Sequence, residues 1–169
     1  MTIDVFAADE QDAHPIDVAR WAELARRVLE ARGVKGDNEV SLLFVDPDAI
    51  ATLNEQFLGK PGPTDVLSFP IEDEPAPTGR SPDLGGTGPG SAAEQGTLTL
   101  LGDVVICPTI AARNAVEHGV PLDDEVALLV VHGLLHLLGM DHEDEAEAER
   151  MEALEQQLLA RFHRLGREA

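Results

Sequence analysis

Apolar residues recur with two different spacings along this chain of 169 residues, and each spacing is typical of one kind of secondary structure. From Ile16 to Leu29 they recur every three or four residues, and Gly33 then follows as a stop, which predicts a first helix. Alternating or short apolar runs predict four strands, at residues 2–6, 39–45, 65–71 and 97–107.

Turn and capping residues delimit further helices. Asp46 followed by Pro47 is an N-cap with proline in the first turn, and it predicts a helix through Phe57. A helix from Pro108 to His118 would end at Gly119, and a last helix would span residues 143–164, with a buried stripe formed by Met151, Leu154, Leu158 and Phe162. Strands mixed with helices in this way predict a single α+β domain, a small mixed β-sheet covered by helices.

One predicted helix is apolar on nearly every side. It opens at Pro121, carries three acids in its positive first turn, and continues through residues 126–138. A helix of this kind belongs in the core. His132 and His136 lie within it, so we expect them in a sheltered cavity, where a metal ion is the most economical way to satisfy them.

The histidines of this helix have the spacing of metal ligands. His132 and His136 are four residues apart and therefore share a helix face, as in zincin-like metal helices. Gly139 is placed to end the helix in a left-handed conformation, which would let the chain turn back and bring in His142. Three neutral imidazoles suit one Zn²⁺ ion and leave its fourth position to water, as in catalytic sites. We therefore predict His132, His136 and His142 as metal ligands.

The same spacing occurs in the metzincin zinc peptidases, with one difference. Those enzymes need a glutamate directly after the first histidine as general base, and here Gly133 occupies that position. The glycine would serve either close approach by a neighbouring element or substrate, or tight packing against the sheet. The catalytic residues stay unassigned; Asp141 and Glu125 are the acidic candidates for water activation beside the metal.

Composition favours one domain spanning residues 1–169, with a Gly/Pro-rich flexible insertion at 72–96 that contains six glycines and four prolines in 25 positions. Cys107, the single cysteine, lies in an apolar run and is predicted to be a buried small hydrophobe. No N-terminal signal is evident, and no apolar run is long enough to cross a bilayer, so we expect a cytoplasmic protein without membrane contact.

The formal net charge of −20 by itself argues against a nucleic-acid partner, since phosphate binding normally needs a basic surface. A local basic patch stays open as an alternative, because basic residues cluster near both ends of the chain, at Arg20, Arg26, Arg27, Arg32 and Lys35 and at Arg161, Arg164 and Arg167. Acids concentrate in the last predicted helix, and we interpret them as a solvated face: Glu143, Asp144, Glu145, Glu147, Glu149, Glu152 and Glu155.

Three motifs in sequence order resemble those of the YbeY family. The first is Pro-Thr-Asp-Val-Leu-Ser-Phe-Pro at 63–70, the second is Leu-Gly-Asp-Val-Val-Ile-Cys at 101–107, and the third is the histidine run at 132–142. The resemblance implies a zinc-dependent, single-strand-specific endoribonuclease that acts in maturation of the 3′ end of 16S ribosomal RNA and in ribosome quality control. It also implies that His132, His136 and His142 bind one zinc ion, with single-stranded ribosomal RNA and the small ribosomal subunit or its assembly factors as partners.

The chain departs from this family in two places. Many members carry an arginine after the aromatic residue that precedes the Pro-Thr-Asp motif, whereas Phe57 is followed here by Leu58; a phosphate clamp would then fall to Lys60 or another basic residue. The insertion at 72–96 is also longer than the family leads us to expect. Two further functions stay open: a zinc peptidase or other metallohydrolase, and a non-catalytic, metal-stabilised ribosome-assembly factor.

Overall fold

The computed structural model describes residues 2–71, 98–140 and 144–163, and within these ranges it contains four strands and five helices. The strands are β1 (Ile3–Asp9), β2 (Asp37–Phe44), β3 (Val66–Pro70) and β4 (Leu98–Ile106). The helices are α1 (Val18–Ala31), α2 (Pro47–Leu58), α3 (Pro108–His118), α4 (Leu122–Leu137) and α5 (Glu145–Phe162). Every helix and strand expected from the pattern is present, with boundaries shifted by up to three residues.

The four strands form one mixed sheet in the order β1-β2-β4-β3. β1, β2 and β4 are parallel, and helices connect them because a parallel pair requires a crossover. β3 is an edge strand that pairs antiparallel with β4, from Val66 opposite Ile106 to Pro70 opposite Gly102. Pro70 lacks an amide donor, and its place at the end of an edge strand fits that property. The single α+β domain with a small mixed sheet is confirmed.

Local capping explains why α2 begins and ends where it does. The carboxylate of Asp46 accepts a hydrogen bond of 2.8 Å from the backbone amide of Ala49, and Pro47 occupies the first turn. At the other end, Gly59 adopts a left-handed conformation with φ of 69°. The helix predicted from Asp46 and Pro47 is therefore confirmed, and the chain continues from it to β3 at the edge of the sheet.

The sheet has apolar side chains on both faces. On one face a large core joins the strands to α1, α4 and α5, and it includes the fully buried Phe44, Ile106 and Trp21. A smaller cluster packs on the other face, around Ile50 of α2 and Leu67 of β3. Cys107 belongs to this smaller cluster and is fully buried, as predicted, and burial raises the pKa of its thiol.

α4 is the central helix of the larger core. It contacts β3 and β4 as well as α1, α3 and α5, and ten of its 16 residues are buried. Such extensive packing fixes the helix relative to the sheet, and contacts of Gly133 with Val104 and Ser68 place its C-terminal half against β4 and β3. Histidines on that half are held by the core rather than by a loop.

Two predictions concern longer stretches of the chain, the insertion and a possible membrane-spanning segment. The Gly/Pro-rich insertion at 72–96 lies outside the described residues. Within the described ranges, none of the helices is both long and apolar enough to cross a membrane.

Candidate metal centre

His132 and His136 lie one turn apart on α4 and point their Nε2 atoms toward each other. The two Nε2 atoms are 3.1 Å apart, and the rings meet at 83° with centroids separated by 4.6 Å. The spacing of four residues that was read from the sequence therefore brings these two imidazoles together on one helix face.

The other nitrogen of each ring contacts an acceptor. His132 Nδ1 lies 2.5 Å from Oε2 of Glu155, which is on α5. His136 Nδ1 lies 3.0 Å from the backbone carbonyl oxygen of Met140. A carbonyl oxygen and an ionised carboxylate can only accept, so both Nδ1 atoms carry the proton when the rings are neutral. Both Nε2 atoms are then acceptors.

This arrangement fits a metal ion. Two acceptor nitrogens 3.1 Å apart repel each other unless a proton or a cation lies between them. Nitrogen ligands at 2.0–2.1 Å from a tetrahedral zinc ion are roughly 3.3 Å apart, close to the separation found here. The chemistry of the donor set, two neutral imidazoles with fixed tautomers, is the one that zinc prefers.

Gly139 ends the helix as the sequence predicts and completes the environment of His136. Its φ is 97°, a left-handed conformation that favours glycine. Its amide donates to the His136 carbonyl at 3.0 Å, and the Met140 amide donates to Leu135 at 3.0 Å. This turn folds the chain back, and the Met140 carbonyl reaches the His136 ring as a result.

The third predicted ligand cannot be placed, because His142 and Asp141 lie outside the described residues. Among the residues at 2–71, 98–140 and 144–163, no group of three histidine, cysteine, aspartate or glutamate side chains could hold a metal ion. The assignment of His142 therefore stays a prediction from its spacing.

The two histidines open onto a cleft of about 560 Å³ between the end of α4 and the edge strand β3. The side chain of His132 is 27% exposed, so the prediction of a sheltered cavity was wrong in this respect. The helix is buried on its other sides, yet β3 is an edge strand and leaves one side of the histidine pair accessible. The cleft is lined by Leu58, Asp65, Val66, Leu67, Ser68, Pro70, His132, His136, Gly139 and Met140.

Asp65 is the acidic residue among the described residues that line the cleft. One carboxylate oxygen accepts a hydrogen bond of 3.0 Å from the Asn114 side-chain amide on α3, and the other is 3.4 Å from the Thr64 hydroxyl. The side chain is thus fixed at the start of β3. Asp65 belongs to the Pro-Thr-Asp motif, but its sequence position alone indicates no role, because only the fold brings it to the cleft beside the histidines.

The structure decides between the two roles considered for Gly133. A Cβ atom at this position would lie 2.6 Å from Cγ1 of Val104 on β4. The Ser68 hydroxyl of β3 donates a hydrogen bond of 3.0 Å to the Gly133 carbonyl oxygen. Gly133 therefore lets α4 pack tightly against the sheet, and there is no space for the glutamate that a metzincin peptidase has at this position.

Glu155 corrects the prediction of a solvated acidic face. Its exposure is 6%, and its carboxylate contacts His132, whereas neighbouring acids such as Glu152 are exposed. The sequence contains a signal for this burial in the spacing of the helix. Glu155 follows Met151 by four residues and precedes Leu158 by three, which places it on the buried stripe. The prediction of one solvated acidic face was therefore wrong at Glu155.

Glu125 is one of the two acidic residues that were candidates for water activation, and it contacts His118 rather than a metal-centre histidine. It is 3% exposed, and its Oε1 lies 2.9 Å from Nδ1 of His118. Among the described residues, neither Glu125 nor His118 lines the cleft. The hydrogen bond to Glu125 is the main reason that the pKa of His118 is raised above its ordinary value.

Sequence comparison adds to this geometry. The sequence model of the family described as "Endoribonuclease YbeY" matches residues 6–163, which include both histidines and every element that positions them. The chain belongs to the endoribonuclease YbeY family.

Relatives support the membership over nearly the whole chain. An endoribonuclease YbeY from Thermobifida fusca is 43% identical over 164 residues, covering 97% of this chain and 96% of the relative. Another from Beutenbergia cavernae is 45% identical over 147 residues, covering 87% of this chain and 89% of the relative. The solution structure of TM1509 from Thermotoga maritima has a TM-score of 0.53 and 25% identity, covering 95% of this chain and 91% of that one.

The cleft differs in charge from what the YbeY resemblance suggests. Leu58 lines it at the position where an arginine was expected, and no lysine or arginine is among its described lining residues. Three arginines of α1 form ion pairs with acids, namely Arg20 with Asp123, Arg26 with Glu23 and Glu30, and Arg27 with Glu23. These pairs reduce the basic character of the N-terminal cluster.

Proposed function

We propose that this protein is a zinc-dependent, single-strand-specific endoribonuclease that acts in maturation of the 3′ end of 16S ribosomal RNA and in ribosome quality control. The observation that carries the proposal is the pair of imidazoles with facing Nε2 atoms, in a chain of the endoribonuclease YbeY family. The open cleft beside the pair supports this proposal, because it leaves both histidines accessible to an extended single strand.

His132 and His136 would hold the ion, and His142 is proposed as the third ligand. When bound, zinc polarises a phosphoryl oxygen and lowers the pKa of a water molecule, which suits hydrolysis of a phosphodiester. The protein's own contribution is to keep both Nδ1 atoms protonated through Glu155 and Met140, so that both Nε2 atoms are presented to the cation.

Asp65 is the group that we assign to proton transfer or water orientation at the cleft. The Asn114 amide holds one of its oxygens, which leaves the carboxylate in a defined orientation beside the histidines. A carboxylate in this position can accept a proton from an attacking water or hydroxyl. Glu125 is less suited to this role, because His118 occupies its carboxylate and it does not line the cleft.

The close contact at Gly133 counts against a zinc peptidase. A peptidase of metzincin type needs a glutamate side chain directly after the first histidine, and Val104 fills that space. Acyl-transfer chemistry would therefore require a base from elsewhere, whereas phosphodiester hydrolysis does not depend on a base at that position.

The strongly acidic charge of −20 bears on how RNA would be bound. Phosphate groups are repelled by an acidic surface, and the described cleft residues include neither lysine nor arginine. We propose that the small ribosomal subunit or its assembly factors supply basic surface, with ribosomal RNA presented to the cleft in that assembly, in the cytoplasm. Lys60, two residues after Leu58, is the nearest basic residue along the chain.

The test is metal content together with RNA cleavage for the wild type and His136→Ala. We expect about one zinc per wild-type chain, cleavage of a single-stranded ribosomal RNA fragment, and loss of both in the variant. A duplex of the same sequence serves as the substrate control, and it should stay intact.

The outcome also separates the alternatives. Equal cleavage by wild type and His136→Ala would reject the metal-dependent nuclease. Zinc binding without cleavage, combined with a normal ribosome profile in cells that carry the variant, would favour the non-catalytic assembly factor. Metal-dependent cleavage of peptides would revive the peptidase.

A further inference from the structure

Glu155 is a buried carboxylate on a helix whose other described acids are exposed or half-buried. It is 6% exposed and packs in the stripe of α5 that includes Met151 and Leu158. An ionised carboxylate is costly to remove from water unless it is paired and hydrogen-bonded. Its contact with His132 Nδ1 provides such a partner, so the position of Glu155 is tied to the histidine.

The contact determines what the His132 ring can do. A proton held on Nδ1 by the carboxylate leaves Nε2 as the acceptor, and that atom faces the Nε2 of His136. On the side of α5, the ring borders a second cavity of about 180 Å³, lined by His132, Ala148, Met151, Glu152 and Glu155. The carboxylate thus fixes both the tautomer and the direction of the ring.

We infer that Glu155 is a positioning residue for the metal centre: it reaches from α5 to hold His132 with Nε2 directed at the ion. Histidines that bind metals commonly donate their second ring N–H to a carboxylate or carbonyl, and loss of that partner lowers metal affinity by about 10- to 100-fold. The inference rests on the proposed function, since it assumes that His132 binds a metal.

The chain contains a matched control. Glu125 is also a buried glutamate that contacts a histidine Nδ1, at the opposite end of α4 and outside the described lining of the cleft. Glu155→Gln and Glu125→Gln therefore remove one negative charge each from similar pairs, with little change in side-chain shape. Glu155→Ala removes the acceptor altogether.

The experiment measures zinc affinity of the full-length chain by competition with a chromophoric chelator, with thermal unfolding recorded for every variant. We expect Glu155→Ala to lose about 10- to 100-fold in zinc affinity and Glu155→Gln to lose less, because its amide oxygen can still accept from Nδ1. Glu125→Gln should stay within about twofold of wild type. A second readout, long-range ¹⁵N–¹H correlations of the zinc-free protein, should give His132 as the Nδ1–H tautomer in wild type and a mixture in Glu155→Ala.

The inference is overturned if the Glu155 variants lower the melting temperature as Glu125→Gln does while zinc affinity and the His132 tautomer are unchanged. Glu155 would then only join two helices. Absence of RNA cleavage in a wild type that binds zinc, with the affinity loss in Glu155→Ala intact, would reject the proposed function and support the inference.

Discussion

The two ends of α4 carry the same kind of pair and use it differently. At the N-terminal end, buried Glu125 meets His118, whose side chain is 56% exposed. At the C-terminal end, buried Glu155 meets His132, whose side chain is 27% exposed and whose Nε2 faces a second histidine. A buried carboxylate with an imidazole is therefore insufficient to mark a metal centre.

The two pairs differ in the role that their surroundings give to the imidazole. For His132, the Nε2 atom meets the acceptor nitrogen of His136 beside an open cleft. For His118, the hydrogen bond to Glu125 raises the pKa of the ring, so the pair stabilises a protonated imidazole. The arrangement at His132 suits a neutral imidazole that binds a metal. The arrangement at His118 suits a protonated imidazole that neutralises the buried Glu125.

The largest expected difference between the two ends of α4 appears when one histidine is removed from each. His132→Ala should abolish zinc binding and reduce RNA cleavage by more than about 100-fold, because truncation removes a proposed ligand outright. His118→Ala should leave zinc content and cleavage near wild type. Zinc analysis and a cleavage assay on purified variants measure both, and equal losses in the two variants would refute the distinction between the two ends.

The second effect tests how tightly the cleft end of α4 is packed. Gly133→Ala should lower the free energy of unfolding by about 1–2 kcal/mol, since overpacking against Val104 outweighs the better helix propensity of alanine. Chemical denaturation measures the change.

A double variant provides the control for this prediction. Combining Gly133→Ala with Val104→Ala should destabilise by less than the sum of the two single changes, because the smaller side chain leaves room for the new methyl group. Additive effects would contradict the contact between α4 and β4.

A third effect concerns the hydrogen bond that joins β3 to the same turn of α4. Ser68→Ala should cost about 0.5–1.5 kcal/mol of stability, because the hydroxyl donates to the Gly133 carbonyl at 3.0 Å. Zinc affinity should change little. An affinity loss as large as that of Glu155→Ala would mean that sheet packing, rather than the carboxylate, positions the histidines.

The smallest effect is the pH dependence at the N-terminal end. The pKa of His118 is raised in the folded chain, chiefly by Glu125 and further by Glu117 and Asp65, while desolvation lowers it. Because the folded pKa exceeds the ordinary value of 6.5, the stabilisation is fully present below pH 6.5 and is lost as pH rises through the folded pKa.

Melting temperatures of wild type and His118→Gln give the measurement. Over the titration range of the ring, the difference between them should be greatest below pH 6.5 and should shrink as the pH rises above that value. A constant difference across this range would show that His118 contributes no charge-dependent stabilisation to the buried Glu125.

Much of this architecture could be predicted from local signals. Asp46 and Pro47 open α2, Gly139 ends α4, and the four-residue spacing places His132 and His136 on one face. Each of these signals depends on neighbours within a turn or two along the chain, where backbone geometry is nearly fixed by residue type.

Contacts between distant residues could not be predicted in the same way. Glu155 is 23 residues from His132, and Ser68 is 65 residues from Gly133, so their pairing depends on how α5 and β3 pack against α4. Asp65 likewise reaches the cleft only because β3 is the edge strand next to β4. Composition suggested a solvated acidic face on α5, but packing buries Glu155 within that face.

The close approach of Gly133 to Val104 also constrains which sequences could descend from this one. A single substitution that installs glutamate after the first histidine would place a longer side chain where the valine methyl already lies, so we expect it to destabilise the folded protein more than Gly133→Ala does. A smaller residue on β4 would have to arise first, with a cavity as its immediate cost. The order of the two changes thus separates this chain from peptidase chemistry of the metzincin type, although the histidine spacing is the same.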